Sequence, residues 1–564
     1  MLVPPIRLKS VLLLLALLLT GMAGNAVAQP KKLPSVEKIV DNYLKAIGGK
    51  KAARALRDAD YEWTIQLNDQ QIGTARAQRK APGSERWELN FGNGQIITAT
   101  NARSAWEIGL NQKLRTLTTT EAATAKLRAS LDASHLIDFK KANILARVVS
   151  LGDLGSEPAY IVEFSTRSGA RAQYYFSVKT GLLTKITSDV KTTSDTKHTR
   201  IILEDYRRPQ VRITQSGTTP NGSTQTSTTN TGTVSTASTQ TSSRNTATTN
   251  ESAPILEPHR IRLTLEGSGE LTLKLTSVKY DTGIDDRIFD PPAATENLDV
   301  AALWRDVHRN QDEIDKRVSE YAFTQTETDR VIDSKGELKK QTVKVYEVYP
   351  VLNREPVQKL ISENGVPLSS ERAAKEDRRV QEEFAKAERD REKDEKKVAQ
   401  RRAERVKKEK EGTEISPFLK VCDFVSPRRE QWEGRDTIVF EFRPKPGFRP
   451  QNRRESLIAK LVGVVWIDPV DKQIIRLEAR LAEGFKVAGG LVASLKPGAA
   501  LVVEQTRMAQ GVWLPRFAHI NLSVKVLLFA GGDYNQTVEW SDYKHFSGDV
   551  KDYKVNATPI AKPQ

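Results

Sequence analysis

Cysteine is almost absent: Cys422 stands alone in 564 residues, beside three methionines and six histidines. A lone thiol excludes an internal disulfide, an iron–sulfur cluster held by this chain alone and any zinc site built from several thiolates. The histidines His135, His198, His259, His308, His519 and His545 are scattered, so no H-E-x-x-H pair forms. His308, near Asp306 and Asp312, reads as a surface residue of a carboxylate-rich helix. No G-x-S-x-G elbow, Walker A loop or G-x-G-x-x-G turn occurs. The S-x-x-K spacings at Ser35/Lys38, Ser188/Lys191, Ser194/Lys197 and Ser541/Lys544 are those chance supplies in a lysine-rich chain, and Cys422, with no histidine nearby, reads as a buried bystander. The chemistry sought is missing, and the expectation is a protein with no catalytic residue, no metal site and no cofactor.

Long apolar runs are missing too. The longest, Val11 to Leu19, follows Arg7 and Lys9 and precedes Ala26-Val27-Ala28, the pattern of a secretory signal peptide over residues 1–28. It is well short of the ~20 apolar residues that span a bilayer, and no cysteine follows it to carry a lipid anchor. The expectation is a periplasmic, exported chain, soluble after cleavage and not an integral membrane protein. Lys and Arg number 87 against 71 Asp and Glu, a formal charge of +16, which points to acidic surfaces or lipid headgroups. Interleaving of bases with acids, together with export, argues against nucleic acid.

Val36, Ile39, Val40, Tyr43, Leu44 and Ile47 recur at helical spacing between a Ser35 cap and a Gly48-Gly49 stop. A short helical piece, Lys50 to Leu56, leads into Tyr61 to Leu67, whose alternation reads as a strand. Short strand-like runs joined by tight turns continue to Tyr280, the signature of antiparallel sheet. Thr214 to Ser252 interrupts them with 23 Ser or Thr in 39 residues; such a segment cannot bury enough surface to order itself, so it reads as a disordered insertion between two strands of one domain.

The second half repeats the plan: a helix over Ala301 to Val318, strands at Tyr321 to Asp329 and Gln341 to Tyr349, and further strands from Thr437 to Tyr543. Its own interruption, Glu371 to Glu411, carries 29 charged residues in 41 without Gly or Pro and reads as a long solvated helix with too little seam for a coiled coil. The fold expected is α+β: two curved antiparallel-sheet half-barrels, each capped by helices. The domains expected are 30–298 and 299–555, with a flexible tail over 556–564.

The run Ile39-Val40-Asp41-Asn42-Tyr43-Leu44-Lys45-Ala46-Ile47-Gly48-Gly49-Lys50, with a strand near Trp63 and Ala105-Trp106-Glu107 beyond it, resembles exported LolA-like proteins, the lipoprotein-carrier superfamily that includes RseB-type sensors. Tyr346-Glu347-Val348 and Leu360-Ile361-Ser362-Glu363-Asn364-Gly365-Val366-Pro367-Leu368-Ser369 give the second half a similar likeness. The resemblance implies a curved sheet with helices over an apolar cavity for acyl chains, and it transfers no individual ligand-binding residue.

On that basis the expected function is periplasmic, non-enzymatic binding of a lipid, a lipoprotein acyl chain or another apolar ligand, in a carrier or envelope-sensor role, with an envelope membrane protein as a further partner. The cavity candidates are Ile39, Tyr43 and Ile47 on the first helix and Trp63, Trp87, Trp106, Trp466 and Trp513 on strands. The alternative is an envelope interaction protein whose cores are solid.

Overall fold

The computed structural model describes residues 33–564 except 132–135, 155–156, 192–195, 215–247, 253, 266–268, 294–297, 319, 334–336, 352–355, 395–415, 488–492, 509–510, 527–528, 546–557 and 560–564. The expected signal peptide, residues 215–247 of the Ser/Thr-rich segment, residues 395–411 of the charged stretch and most of the tail lie outside that description. Among the described residues, no helix is long and apolar enough to cross a membrane.

Two large open antiparallel sheets dominate, each drawing all its strands from one half of the chain. In the thirteen-stranded first sheet, the strands between Asp58 and Thr116 form one meander and those between Leu145 and Arg207 a second. The hairpin Glu257–Leu265 and Gly269–Tyr280 joins them, pairing Tyr206 with Pro258 on one side and Tyr61 with Val278 on the other. The Ser/Thr-rich segment therefore leaves and re-enters between neighbouring strands, and its ends form a separate ladder, Gln210–Thr214 against Thr248–Ser252. The fourteen-stranded second sheet runs from Val366–Pro367 at one edge to Cys422–Trp432 at the other.

The first helix, α1 (Val36–Ile47), starts where Ser35 accepts a hydrogen bond from the Lys38 backbone N–H at 3.3 Å. It ends at Gly48, with φ of 139°; a Cβ there would stand 2.7 Å from the Pro254 carbonyl oxygen, so only glycine fits. Its apolar stripe is buried against Val162, Phe164, Tyr174 and Phe176 of the first sheet. After α2 (Lys50–Ala55), α3 (Thr119–Ala129) follows the first meander. The second half contains α4 (Val300–Val318), α5 (Ser370–Asp394), α6 (Ser416–Val421) and α7 (Arg453–Ile458). The α5 helix lies on the strand Val357–Glu363, where Val380 is buried beside Val351 and Val357.

The two sheets meet through buried polar side chains. Glu430, on the edge strand Cys422–Trp432, accepts from both the backbone N–H and the hydroxyl of Thr116, on the edge strand Leu114–Thr116, at 2.7 and 2.6 Å. Arg428 closes the group by donating to Glu430 and to Thr116 Oγ1. Nearby, Glu441, fully buried, accepts from Arg103 Nε at 2.5 Å and from the Ser104 hydroxyl. Arg147 pairs with Glu337 at 2.8 Å as a further link between the halves.

Removing one partner of a buried ion pair leaves the other charge uncompensated, which costs about 3–5 kcal/mol. Arg103→Met should therefore lower the unfolding free energy by about that much, and adding Glu441→Gln should restore part of it. Urea denaturation of the single and double variants measures this; additive losses would refute the pairing.

Candidate functional site

An apolar cavity lies in each half. The cavity of the first half, about 330 Å³, lies between the first sheet and the helices α1 and α3. Trp63, Ile65, Leu271 and Leu273 supply its apolar wall, and Tyr43 reaches it from α1, set edge-on to Phe176 at 5.6 Å. Polar groups cross the same space. Tyr61 and Tyr280 donate their hydroxyls to Glu257 Oε1 at 2.9 and 3.0 Å; burial above all, then the adjacent Glu257 carboxylate, pushes the Tyr280 phenol far up. Arg79 lies over the rings of Tyr61 and Trp87 and pairs with buried Glu85 at 3.1 Å, while Arg128 of α3 stands 3.5 Å from that carboxylate. Burial works to raise the Glu85 pKa, but the two guanidiniums outweigh it and hold it below its ordinary value.

The cavity of the second half is larger, about 590 Å³, and plainer. Its floor is the strand pair Gln473–Leu481 and Ala500–Arg507, through Leu477, Ala479, Leu481, Leu501 and Val503. Its other walls are Trp304 of α4, Phe418 of α6, Leu457 of α7, and Phe424 and Phe442 from the neighbouring strands. A strand sends alternate side chains to opposite faces. With Leu477 and Ala479 turned into the cavity, Arg476 and Glu478 lie on the other face, where Arg476 sits over the rings of Trp432 and Trp466.

Of the eight candidates read from the sequence, Tyr43, Trp63 and Trp87 line the first cavity. Ile39 and Ile47 are packed into the core beneath α1, 2% and 0% exposed. Trp106 is fully buried and donates Nε1–H to the Phe289 carbonyl at 2.9 Å. Trp466 and Trp513 pack with Val439 and Val464 on the face away from the second cavity, and Trp513 donates to Asp471 at 2.8 Å. The floor residues of the larger cavity are aliphatic, and none of its lining was named as a cavity candidate from sequence. Their signal was the alternation Leu477, Ala479, Leu481 between Arg476, Glu478 and Arg480. His308 and Gln311 reach the same cavity from α4. Cys422 is buried, and desolvation pushes its thiol up to about 12, which leaves it a thiol at neutral pH.

Between the cavities, α3 brings Lys126 to the junction, where its ammonium donates to the Arg103 carbonyl at 3.0 Å. Burial first, then the charges of Arg480 and Arg103, push Lys126 down to about 7 against the opposing pull of Glu478 and Glu441. An unfolded lysine titrates near ~10.4, so the unfolded chain holds this proton from about pH 7 to pH 10 while the folded chain releases it. Stability should therefore rise across that window and be flat with respect to this group below it. Thermal melts from pH 6 to 9 should show this rise in the native protein and a weaker one in Lys126→Met; equal pH slopes would contradict it.

No protein-family model and no curated protein matches this chain. Among solved structures it is similar to a DUF1329 family protein from Desulfovibrio piger, at 11% identity over 46% of this chain and 98% of that one, with a TM-score of 0.26. It is also similar to a LolA superfamily protein from Nitrosomonas europaea, at 12% identity over 46% and 99% of the two chains and a TM-score of 0.26. Pseudomonas aeruginosa MucB, solved in complex with MucA, is similar at 7% identity over 90% and 94%, with a TM-score of 0.17. These neighbours are of the kind that the sequence motifs resemble. TM-scores this low carry no argument about the site, which rests on the chain's own geometry.

Proposed function

We propose that this chain is an exported, non-enzymatic binding protein of the cell envelope that holds a lipid, a lipoprotein acyl chain or another apolar ligand, as a carrier or a sensor. The observation that carries the reading is the cavity of about 590 Å³ in the second half, walled by aliphatic and aromatic side chains. Its volume lies within the roughly 300–1,000 Å³ of small-molecule sites. Each methylene moved into it from water contributes about 0.8 kcal/mol. The smaller cavity, with its ionic and tyrosine groups, is the second binding space. In this reading residues 30–298 and 299–555 are two units of one plan, the signal peptide delivers the chain to the periplasm, and an envelope membrane protein receives or senses the loaded form. The solid-core alternative predicts no such compartment.

A neutral apolar probe, N-phenyl-1-naphthylamine, tests this by fluorescence titration of the full chain. Saturable binding is expected, and Val503→Trp, which places an indole in the larger cavity, should abolish the share due to that site with the strand circular-dichroism signal unchanged. Absence of saturable binding, or full capacity in a folded Val503→Trp variant, would refute the reading.

A further inference from the structure

The lining of the larger cavity differs from one end to the other. Its lining follows the strand Gln473–Leu481 from Ile474 to Leu481, about 23 Å at ~3.3 Å per residue. Arg476 pairs with Glu504 and Arg480 with Ala500, so Gln505 lies level with the Ile474 end and Ala500 with the Leu481 end. At the Ile474 end the polar lining holds no Lys, Arg, Asp or Glu among the described residues: Gln505 donates to Gln311 at 3.4 Å, and His308 stands one helical turn away on α4. At the other end, α7 leads directly into the strand Leu461–Asp468, whose Leu461 pairs with Leu481. That helix presents Arg454.

Arg454 is the one Lys, Arg, Asp or Glu side chain among the described lining residues. It is exposed, and among the described residues no carboxylate pairs with it. Glu455, the next residue, is already engaged, accepting from Lys420 Nζ at 2.6 Å and from the Gln451 backbone N–H at 2.7 Å, and Glu483, two residues beyond Leu481, pairs with Lys460 at 2.9 Å. An apolar lining whose single charged member among the described residues is an exposed guanidinium at one end matches one ligand shape, an aliphatic chain that ends in an anion. A guanidinium binds carboxylate or phosphate oxygens through two parallel N–H donors.

We propose that the second-half cavity selects single-chain amphiphiles with an anionic head, a fatty carboxylate or a monoacyl phosphate, and that Arg454 is the residue that selects them. This rests on the reading that the cavity holds an apolar chain. The tail runs toward Gln505, and the head stays at the solvent-facing end, where it keeps part of its hydration.

Equilibrium binding of radiolabelled palmitate, monopalmitoyl lysophosphatidate and methyl palmitate to the full chain, each delivered from cyclodextrin, tests this at neutral pH. Arg454→Met keeps the methylene stem and removes the charge, at an exposed position where folding is not at stake. It should weaken whichever anionic ligand is the native class about tenfold, as loss of a charge-assisted hydrogen bond does, and leave the methyl ester within twofold. Arg454→Glu should weaken the anions further. A loss for palmitate alone identifies a fatty carboxylate, and a loss for lysophosphatidate alone a phosphate head. Equal affinities for all three ligands, unchanged in Arg454→Met but abolished in Val503→Trp, would overturn the head-group selection and leave the cavity reading standing. No binding of any of them would overturn both.

Discussion

An open sheet ends in two strands whose backbone donors and acceptors have no ladder partner, and the chain must cover them. Here the edge strand Leu114–Thr116 of one sheet meets the edge strand Cys422–Trp432 of the other, and the carboxylate of Glu430 takes the place of a neighbouring strand by accepting from the Thr116 backbone N–H. That contact brings charged side chains inside: Arg428, Glu430 and Glu441 are all buried. Because strand side chains alternate, committing Glu441, Glu478 and Arg480 to the junction commits Phe440, Phe442, Leu477 and Ala479 to the other face. The second cavity is what the covering helices leave unfilled over that face.

The two cavities differ in chemistry for the same structural reason. In the first, strands on both sides of the space carry polar residues inward, and Arg79, Glu85, Glu257 and the tyrosines neutralise one another across it. In the second, Arg476, Glu478 and Arg480 of the floor alternate with the lining residues and lie on the opposite face, so the lining is hydrocarbon relieved at its ends. Lys126 of α3 and Arg480 of the cavity floor stand near one another at the junction, and the helix that carries Lys126 also places Arg128 in the first cavity.

Local, periodic features were legible in the sequence. The stripe of α1, its Ser35 cap and its Gly48 stop each follow from a rule that needs only neighbouring residues, and the return of the chain beside Tyr206 after the Ser/Thr-rich segment followed from strand signals on either side. The strand Cys422–Trp432 was not legible. Pro427 interrupts it, and the partners that bury Arg428 and Glu430 lie more than 300 residues earlier at Thr116. The helix α3 was equally hidden, since its buried positions are filled mainly by alanine and threonine with Leu127 as the one large apolar side chain among them. Among the site candidates, the tryptophans were chosen for size. Size marks burial, and burial falls on both faces of a sheet: Trp63 and Trp87 face a cavity, while Trp466 and Trp513 face away from one. Alternation along Gln473–Leu481 carried the information about the larger cavity.

The proposed function requires that the second half enclose a compartment for an apolar chain. Native mass spectrometry of the full protein, purified from an exporting host without organic solvent, tests it most directly. A population heavier than the mature chain by the mass of an acyl-bearing molecule, which organic extraction releases, is expected. A single species at the mass of the bare chain, unchanged after incubation with lipid extract, would contradict it.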